Sequence, residues 1–93
     1  MSEKQIEQEL VRATKARGGL CIKFVSPSFN GMPDRLLILP DEHIGFVEVK
    51  DKGQLPRALQ LYRHEQLKRL GVAVFVLDSS DEIGGILDAL QAT

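Results

Sequence analysis

The amino-acid sequence predicts an α/β sandwich in which helices pack on a central mixed β-sheet, with the element order α-β-β-β-α-β-α. Apolar residues recur at helical spacing in the first and last segments, and four short apolar runs between them have the length of strands. Glycine- and proline-rich turns separate these segments. An apolar share of 43% and a charged share of 27% are ordinary for a globular protein, and 93 residues predict a single domain over positions 1–93.

The first helix has a start signal and a stop signal. Ser2 is a favourable N-cap residue, and Glu3 suits the positive end of the helix dipole in the first turn. Gly18-Gly19 ends the helix, because glycine adopts the left-handed conformation at little cost. The predicted apolar stripe consists of Ile6, Leu10, Ala13 and Ala16.

Three strands are predicted next, over residues 20–25, 35–39 and 44–50. The segment 26–33 (SPSFNGMP) between the first two has the composition of a turn-rich loop. Pro40-Asp41-Glu42 forms a turn, so the second and third strands are expected to pair as a hairpin.

The remaining elements are a helix, a strand and a last helix. The helix is predicted over residues 56–70, with proline at its first position and Gly71 at its end. The run 72–77 (VAVFVL) is nearly all apolar, which predicts a strand covered on both faces. Ser79 and Glu82 fit a capping box that starts the last helix. Its apolar stripe is Ile83, Ile86, Leu87 and Leu90.

Two charged residues interrupt the third strand where folding alone would not place them. Glu48 and Lys50 share the strand face of Ile44 and Phe46, and a charge aimed at an apolar face is costly unless it is paired or bound to metal. Asp34 starts the preceding strand, so hairpin pairing would bring it to the same end of the sheet as Glu48. Two converging carboxylates form a hard oxygen site suited to Mg²⁺ or Mn²⁺. The alternative is a structural ion pair between Glu48 and Lys50.

The combined motif is more specific than any of its parts. It comprises residues 30–35 (NGMPDR), residues 46–50 (FVEVK), Gly53, and Gln60 eleven residues before Gly71. This pattern resembles the PD-(D/E)xK nuclease superfamily, and within it most closely the virus-type replication-repair nuclease (VRR-Nuc) family in its stand-alone phage and prophage form. The resemblance covers residues 3–77 and implies the PD-(D/E)xK nuclease core as the fold.

The resemblance implies the roles of the central residues. Asp34 and Glu48 would bind the catalytic Mg²⁺ or Mn²⁺, helped by the main-chain carbonyl of Val49. Lys50 would orient the nucleophilic water. The implied activity is that of a metal-dependent endodeoxyribonuclease that hydrolyses phosphodiester bonds.

The resemblance implies two further site residues, and for each of them another residue of the same type is an alternative. Glu7, on the first helix, would face the site and bind metal directly or through water, with Glu3 and Glu9 as alternatives. Gln60 would support the site or the phosphate, and its spacing to Gly71 favours it over Gln66.

The net charge of −1 averages two different regions. Residues 50–69 contain six bases and two acids, whereas residues 78–93 contain four acids and no base. Such asymmetry would let a basic face hold DNA phosphates, although ordinary solvated charge is the alternative for each residue. The candidate DNA-backbone contacts are Lys23, Lys52, Arg57 and Arg63.

The expected substrate is DNA recognised by shape, because aromatic residues are too few for an evident base-stacking platform. The resemblance implies a homodimer that cleaves the four-way Holliday junction, and the last helix and the loop 24–32 are candidate dimer surfaces. The alternatives are a nicking or flap nuclease within a replication-repair assembly, and a non-catalytic nucleic-acid-binding module.

Several classes of protein are disfavoured. The first ten residues carry charges where a signal peptide needs an apolar core, and no apolar run approaches the ~20 residues of a membrane helix. A cytoplasmic protein is therefore expected, in the bacterial host cell if the chain is phage or prophage encoded. Nucleotide-binding glycine motifs are absent, so no organic cofactor is expected, and Cys21 is interpreted as an inert core thiol.

Overall fold

A computed structural model describes residues 1–93 and confirms the predicted order of elements. The elements are α1 (Glu3–Ala16), β1 (Leu20–Lys23), β2 (Arg35–Leu39), β3 (His43–Val49), α2 (Ala58–Arg69), β4 (Ala73–Leu77), a short 3₁₀ turn (Ser80–Glu82) and α3 (Ile83–Gln91). None of the helices combines the length and the apolar character that crossing a membrane requires.

The four strands form one mixed sheet in the order β1-β2-β3-β4. β1, β2 and β3 are antiparallel neighbours, which confirms the predicted hairpin, and β4 is parallel to β3. A parallel neighbour requires a crossover connection, and α2 provides it.

The predicted start of α1 and the predicted glycine stops of α1 and α2 are confirmed by their backbone geometry. Ser2 and Gln5 form a reciprocal capping box, in which the Gln5 backbone N–H donates to Ser2 Oγ (3.3 Å) and the Ser2 backbone N–H donates to Gln5 Oε1 (2.9 Å). Beyond the helix ends, Gly18 and Gly71 have φ angles of 82° and 88°, in the left-handed region that favours glycine.

One face of the sheet packs against α1 and α3 and forms the core. Because side chains alternate along a strand, β2 contributes Leu37 and Leu39 to this face, and β3 contributes Val47 and Val49. The apolar stripe predicted for α3 is buried here. The eleven residues of this core are Ile6, Leu10, Leu37, Leu39, Val47, Val49, Leu77, Ile83, Ile86, Leu87 and Leu90.

The opposite face packs against α2 only near β4 and leaves a region uncovered. The register aligns Leu20, Ile38 and Ile44 in one row across three strands. Leu20 is 60% exposed and Ile44 is 52% exposed. We call this row, together with the exposed Ile22 on β1, the open sheet face.

Three predictions about the helices are wrong. Pro56 does not start α2, because Arg57 is the N-cap residue and Pro56 precedes it. Ser79 and Glu82 form no capping box: the Glu82 backbone N–H donates to the main-chain oxygen of Ser79 (3.1 Å), which closes a 3₁₀ turn instead. Ala16 is exposed, and Thr14 takes its place in the buried stripe because its hydroxyl donates to the Leu10 carbonyl (2.7 Å).

The strand predictions need smaller corrections. β1 ends at Lys23, two residues earlier than predicted. β4 is not covered on both faces, since Val76 is exposed at the edge of the sheet while Leu77 is buried in the core. A nearly continuous apolar run therefore belongs here to an edge strand with one fully covered face.

Candidate active site

Glu48 is the centre of the candidate site. It lies on β3, on the sheet face that α2 covers, and it is only 1% exposed. Gln60 Nε2 donates a hydrogen bond to Glu48 Oε2 (2.8 Å), and Lys50 Nζ lies 3.6 Å from the same oxygen. The other oxygen, Oε1, is buried and has no hydrogen-bond partner. A buried carboxylate oxygen without a donor is costly, so this position is not explained by folding alone.

Asp34 reaches the same end of the sheet, as the hairpin predicted. The register pairs Arg35 with Val47, so the residue before β2 lies beside the end of β3. The Val49 backbone N–H donates to Asp34 Oδ2 (3.0 Å), and the Asp34 carbonyl accepts from the Phe24 N–H (2.8 Å). Both the carboxylate and the backbone of Asp34 are therefore held in place by neighbouring strands.

Lys50 follows β3 directly and stays close to the sheet. Its backbone N–H donates to the Leu77 carbonyl of β4 (2.9 Å), and its side chain is mostly buried. The ammonium thus lies at the carboxylate cluster, where a positive charge is attracted to developing negative charge on a phosphate.

The electrostatics of this cluster favour protonation of Glu48. Burial raises the pKa of Glu48 to about 7, with the negative charge of Asp34 acting in the same direction and Lys50 opposing both. A nearby divalent cation would reverse this preference, because it stabilises the charged carboxylate.

His64 is a residue of this cluster that the sequence analysis missed. It lies on α2, is 2% exposed, and its Nε2 is 3.9 Å from Glu48 Oε1, with no hydrogen-bond partner for either atom. Burial lowers the pKa of His64, and the positive charge of Lys68 adds to the effect. The sequence could have indicated His64 by its position four residues after Gln60, because residues at this spacing share a helix face.

Gln60 has two structural partners. Its Oε1 accepts from the Arg57 backbone N–H (2.8 Å) at the start of α2, while its Nε2 donates to Glu48. The competitor Gln66 accepts from Arg63 instead (2.8 Å). The structure therefore brings Gln60, and not Gln66, to the carboxylate.

Glu7 is paired with a base. Arg35 Nε lies 2.7 Å from Glu7 Oε2, and both side chains are partly buried. The other α1 carboxylate at this end is Glu3, whose pKa is raised first by burial and then by the negative charges of Asp34 and Asp51. The role of Glu7 in the site stays a prediction.

The predicted DNA contacts differ in their surroundings. Lys23, Lys52 and Arg57 are exposed, and Arg57 borders a groove of about 450 Å³ that also reaches Gln60. The guanidinium of Arg63 is already used within the protein, because its Nε donates to the Asn30 carbonyl (2.7 Å).

The cluster offers a metal ion two side-chain carboxylates, those of Asp34 and Glu48. No group of three or more His, Cys, Asp and Glu side chains is arranged to hold one. Two carboxylates nevertheless suit Mg²⁺ or Mn²⁺, because these ions keep several water and substrate oxygens and need few protein ligands. The Glu48 carboxylate has one oxygen without a hydrogen-bond partner and is close enough to Asp34 for the charge of Asp34 to raise its pKa, so this pair fits such an ion.

An α/β sandwich with Asp34, Glu48 and Lys50 gathered at the end of neighbouring strands defines the class of PD-(D/E)xK nucleases. Comparisons with known proteins agree. A solved structure described as a VRR_NUC domain has a TM-score of 0.86 and 33% sequence identity, and the match covers 92% of this chain and 94% of that chain. No family model matches the sequence.

A second relative extends the comparison to a phage. A protein named "Putative nuclease p44", from Acyrthosiphon pisum secondary endosymbiont phage 1, is 47% identical over 89 residues. These residues are 96% of this chain and 95% of the relative. The chain belongs to the VRR_NUC nuclease family.

Proposed function

We propose that this protein is an Mg²⁺- or Mn²⁺-dependent endonuclease that hydrolyses phosphodiester bonds in DNA. The observation that carries the proposal is Glu48, a buried carboxylate with an unpartnered oxygen beside Asp34. Family membership supports the same activity, because the phage relative is named as a nuclease and the structural neighbour as a VRR_NUC domain.

Each residue of the cluster has a separate part in the proposal. Asp34, Glu48 and the main-chain carbonyl of Val49 would hold the metal ion, which when bound lowers the pKa of a coordinated water and neutralises charge on the phosphate. Gln60 fixes the orientation of the Glu48 carboxylate by a hydrogen bond of 2.8 Å to Oε2 and leaves Oε1 without a hydrogen-bond partner. Lys50 orients the attacking water and balances negative charge as the phosphate reacts.

Glu7 is proposed to act from α1, on water bound at the site. Its pairing with Arg35 at 2.7 Å orients its carboxylate, and the Arg35 backbone follows directly on Asp34. Only Oε2 of Glu7 contacts Arg35, so Oε1 would be the oxygen that acts on metal-bound water.

Binding of DNA is proposed to rely on phosphate contacts. Lys23, Lys52 and Arg57 are exposed and can approach a phosphate without losing a structural partner. Arg63 would contribute through the part of its guanidinium that Asn30 and Gln66 leave free. Such contacts fix the position of the duplex without reading its sequence.

The proposed substrate is branched DNA, above all the four-way junction. The proposed form of the enzyme is a homodimer. A two-fold dimer supplies two active sites for two symmetric strands. The open sheet face supports a self-complementary contact, because Leu20, Ile38 and Ile44 form a continuous apolar row that α2 leaves uncovered. The stripe of α3 is buried in the core and does not serve this purpose. The proposed location is the cytoplasm of a bacterial host.

The activity is tested with labelled DNA substrates. A four-way junction, a flap, a nicked duplex, an intact duplex and single strands are incubated with the protein in EDTA, Mg²⁺ or Mn²⁺. We expect cleavage only with metal, fastest on the junction. Preference for the flap or the nick would favour the alternative of a nuclease subunit in a larger replication assembly.

Matched variants separate the site from the fold. Asp34→Asn removes a metal ligand at constant size, and Asp41→Asn serves as its control on the exposed hairpin turn. Loss of cleavage in Asp34→Asn alone is expected. Metal-independent cleavage, or none by the unmodified protein with either metal, would contradict the proposal.

A further inference from the structure

The loop between β1 and β2 presents an aromatic ring to solvent at the edge of α2. Phe29 is 45% exposed, and the guanidinium carbon of Arg63 lies 3.8 Å from the centre of its ring. The same carbon is 5.6 Å from the ring centre of Tyr62, which is 56% exposed. Phe29 and Tyr62 thus both lie within cation–π distance of Arg63, and we call these three side chains the stacking platform.

This loop is fixed to α2 by several contacts. Arg63 Nε, on α2, donates to the Asn30 carbonyl (2.7 Å), and within the loop the Phe29 backbone N–H donates to the Ser26 carbonyl (3.2 Å). Gly31 has a φ of 87°, and a Cβ added there would lie 2.8 Å from Arg63 Cγ and 3.0 Å from Leu59 Cγ. The close approach requires glycine, so the loop carries Phe29 at a defined position on the helix.

The platform is continuous with the candidate active site. A groove of about 450 Å³ is lined by Asn30 and Gly31 on the loop and by Arg57, Leu59 and Gln60 on α2. Gln60 at this groove contacts Glu48, whereas Asn30 adjoins Phe29 and binds Arg63. A nucleic-acid strand in the groove would therefore meet Gln60 at one side and the platform at the other.

Exposed aromatic rings beside cations are suited to nucleobases. A base stacked on an aromatic side chain is worth about 1–3 kcal/mol, and this interaction tolerates any base because every base has a π-face. The positive charge of Arg63 and Arg57 complements the phosphates on either side of such a base. Bases within an intact duplex are already stacked on their neighbours, so they cannot stack on a protein side chain.

We infer that Phe29, supported by Arg63 and Tyr62, stacks on an unpaired nucleobase of the DNA substrate and so favours branched or frayed DNA over intact duplex. The inference rests on the proposed nuclease function and adds to it the feature by which the substrate is selected. It also corrects the expectation that the few aromatic residues form no stacking platform, because the fold gathers two of them around one arginine.

The test measures binding without cleavage, in EDTA, to a four-way junction that carries one additional, unpaired 2-aminopurine nucleotide at its branch point. Stacking on the platform quenches this fluorescence. We expect Phe29→Leu, which keeps an apolar side chain but removes the ring, to lose the quenching and to bind the junction about 5- to 150-fold more weakly. Phe29→Tyr should retain both properties.

Two controls make the result specific. Leu55→Ala changes another exposed apolar loop residue and should bind all substrates as the unmodified protein does. Intact duplex should bind Phe29→Leu and the unmodified protein equally. Equal losses on junction and duplex, unchanged junction binding, or failure of Phe29→Tyr to rescue would each overturn the inference.

The nuclease proposal is judged separately, by cleavage of any DNA by the unmodified protein with Mg²⁺ or Mn²⁺. If the protein cleaves DNA and Phe29→Leu still binds the junction normally, only the platform is refuted. If the protein cleaves nothing, the proposed function fails whatever the fluorescence result.

Discussion

The two faces of the sheet differ in composition and in how completely they are covered. The face toward α1 and α3 is sealed by eleven buried apolar residues, and the charges that meet there, Arg35 and Glu7, pair with each other. The face toward α2 buries Glu48, Gln60 and His64, leaves two of their polar atoms without partners, and exposes Leu20 and Ile44. A small domain needs only one well-packed face for stability, so the other is free to carry groups that folding disfavours.

The largest effect is expected from the sealed face. Leu87→Ala removes a fully buried side chain of α3, so we expect the free energy of unfolding to fall by about 2–5 kcal/mol. The control is Leu61→Ala on the exposed side of α2, where about 0.5 kcal/mol or less is expected. Urea denaturation measures both, and equal losses would remove the contrast between the faces.

The second effect concerns the charge of Glu48 in metal-free buffer. Because burial raises the pKa of Glu48 from its ordinary 4.5 to about 7, folding favours the protonated acid, and the fold loses stability as pH rises from about 4.5 to 7. Glu48→Gln cannot ionise, so its stability relative to the unmodified protein should increase over that range by about 2–3 kcal/mol.

The measurement is urea denaturation in EDTA between pH 4 and pH 8. Glu65→Gln, an exposed carboxylate on α2, is the control and should show no such trend. A constant difference between Glu48→Gln and the unmodified protein across this range would show that the buried carboxylate is not destabilising.

A smaller effect is expected for Gln60, which joins the start of α2 to Glu48. Gln60→Ala removes both hydrogen bonds, and we expect a loss of about 1–2 kcal/mol at pH 8. Gln66→Ala, which removes a single hydrogen bond to Arg63, should change stability by about 0.5 kcal/mol or less. Comparable losses in the two variants, measured by thermal unfolding, would argue against a special role for Gln60.

The smallest effect on stability is expected at the open sheet face. Ile44→Glu should change the free energy of unfolding of the monomer by less than about 1 kcal/mol, because Ile44 is half exposed. It should abolish the proposed dimer, whereas Val25→Glu, at an exposed position beyond β1, should not. Sedimentation equilibrium distinguishes these outcomes, and a monomeric unmodified protein would refute the dimer.

The sequence was sufficient for the order of elements and for the meeting of Asp34 and Glu48. The alternation of side chains along β3 and the position of the hairpin turn determine which side chains meet at one end of the sheet. Both features can be read from a short stretch of sequence. His64 was not predicted, because its approach to Glu48 depends on where α2 lies across the sheet. The pairing of Glu7 with Arg35 and the row of Phe29, Arg63 and Tyr62 also arise from tertiary packing between elements distant in sequence.

The start of α3 was wrongly predicted for a related reason. Ser79 and Glu82 match a capping box in their spacing, yet the backbone closes a 3₁₀ turn through the main-chain oxygen of Ser79. Short-range signals of this kind compete with one another, so the spacing of a serine and a glutamate does not by itself determine how a helix starts.

The most direct test of the account is the rate at which Glu48→Gln cleaves a four-way junction in Mn²⁺, under single-turnover conditions and beside the unmodified protein. The account predicts a loss of at least about 100-fold in a variant that is folded and more stable at pH 8, because the substitution removes the carboxylate that the α2 face buries for the metal. Cleavage by Glu48→Gln at the rate of the unmodified protein would contradict it.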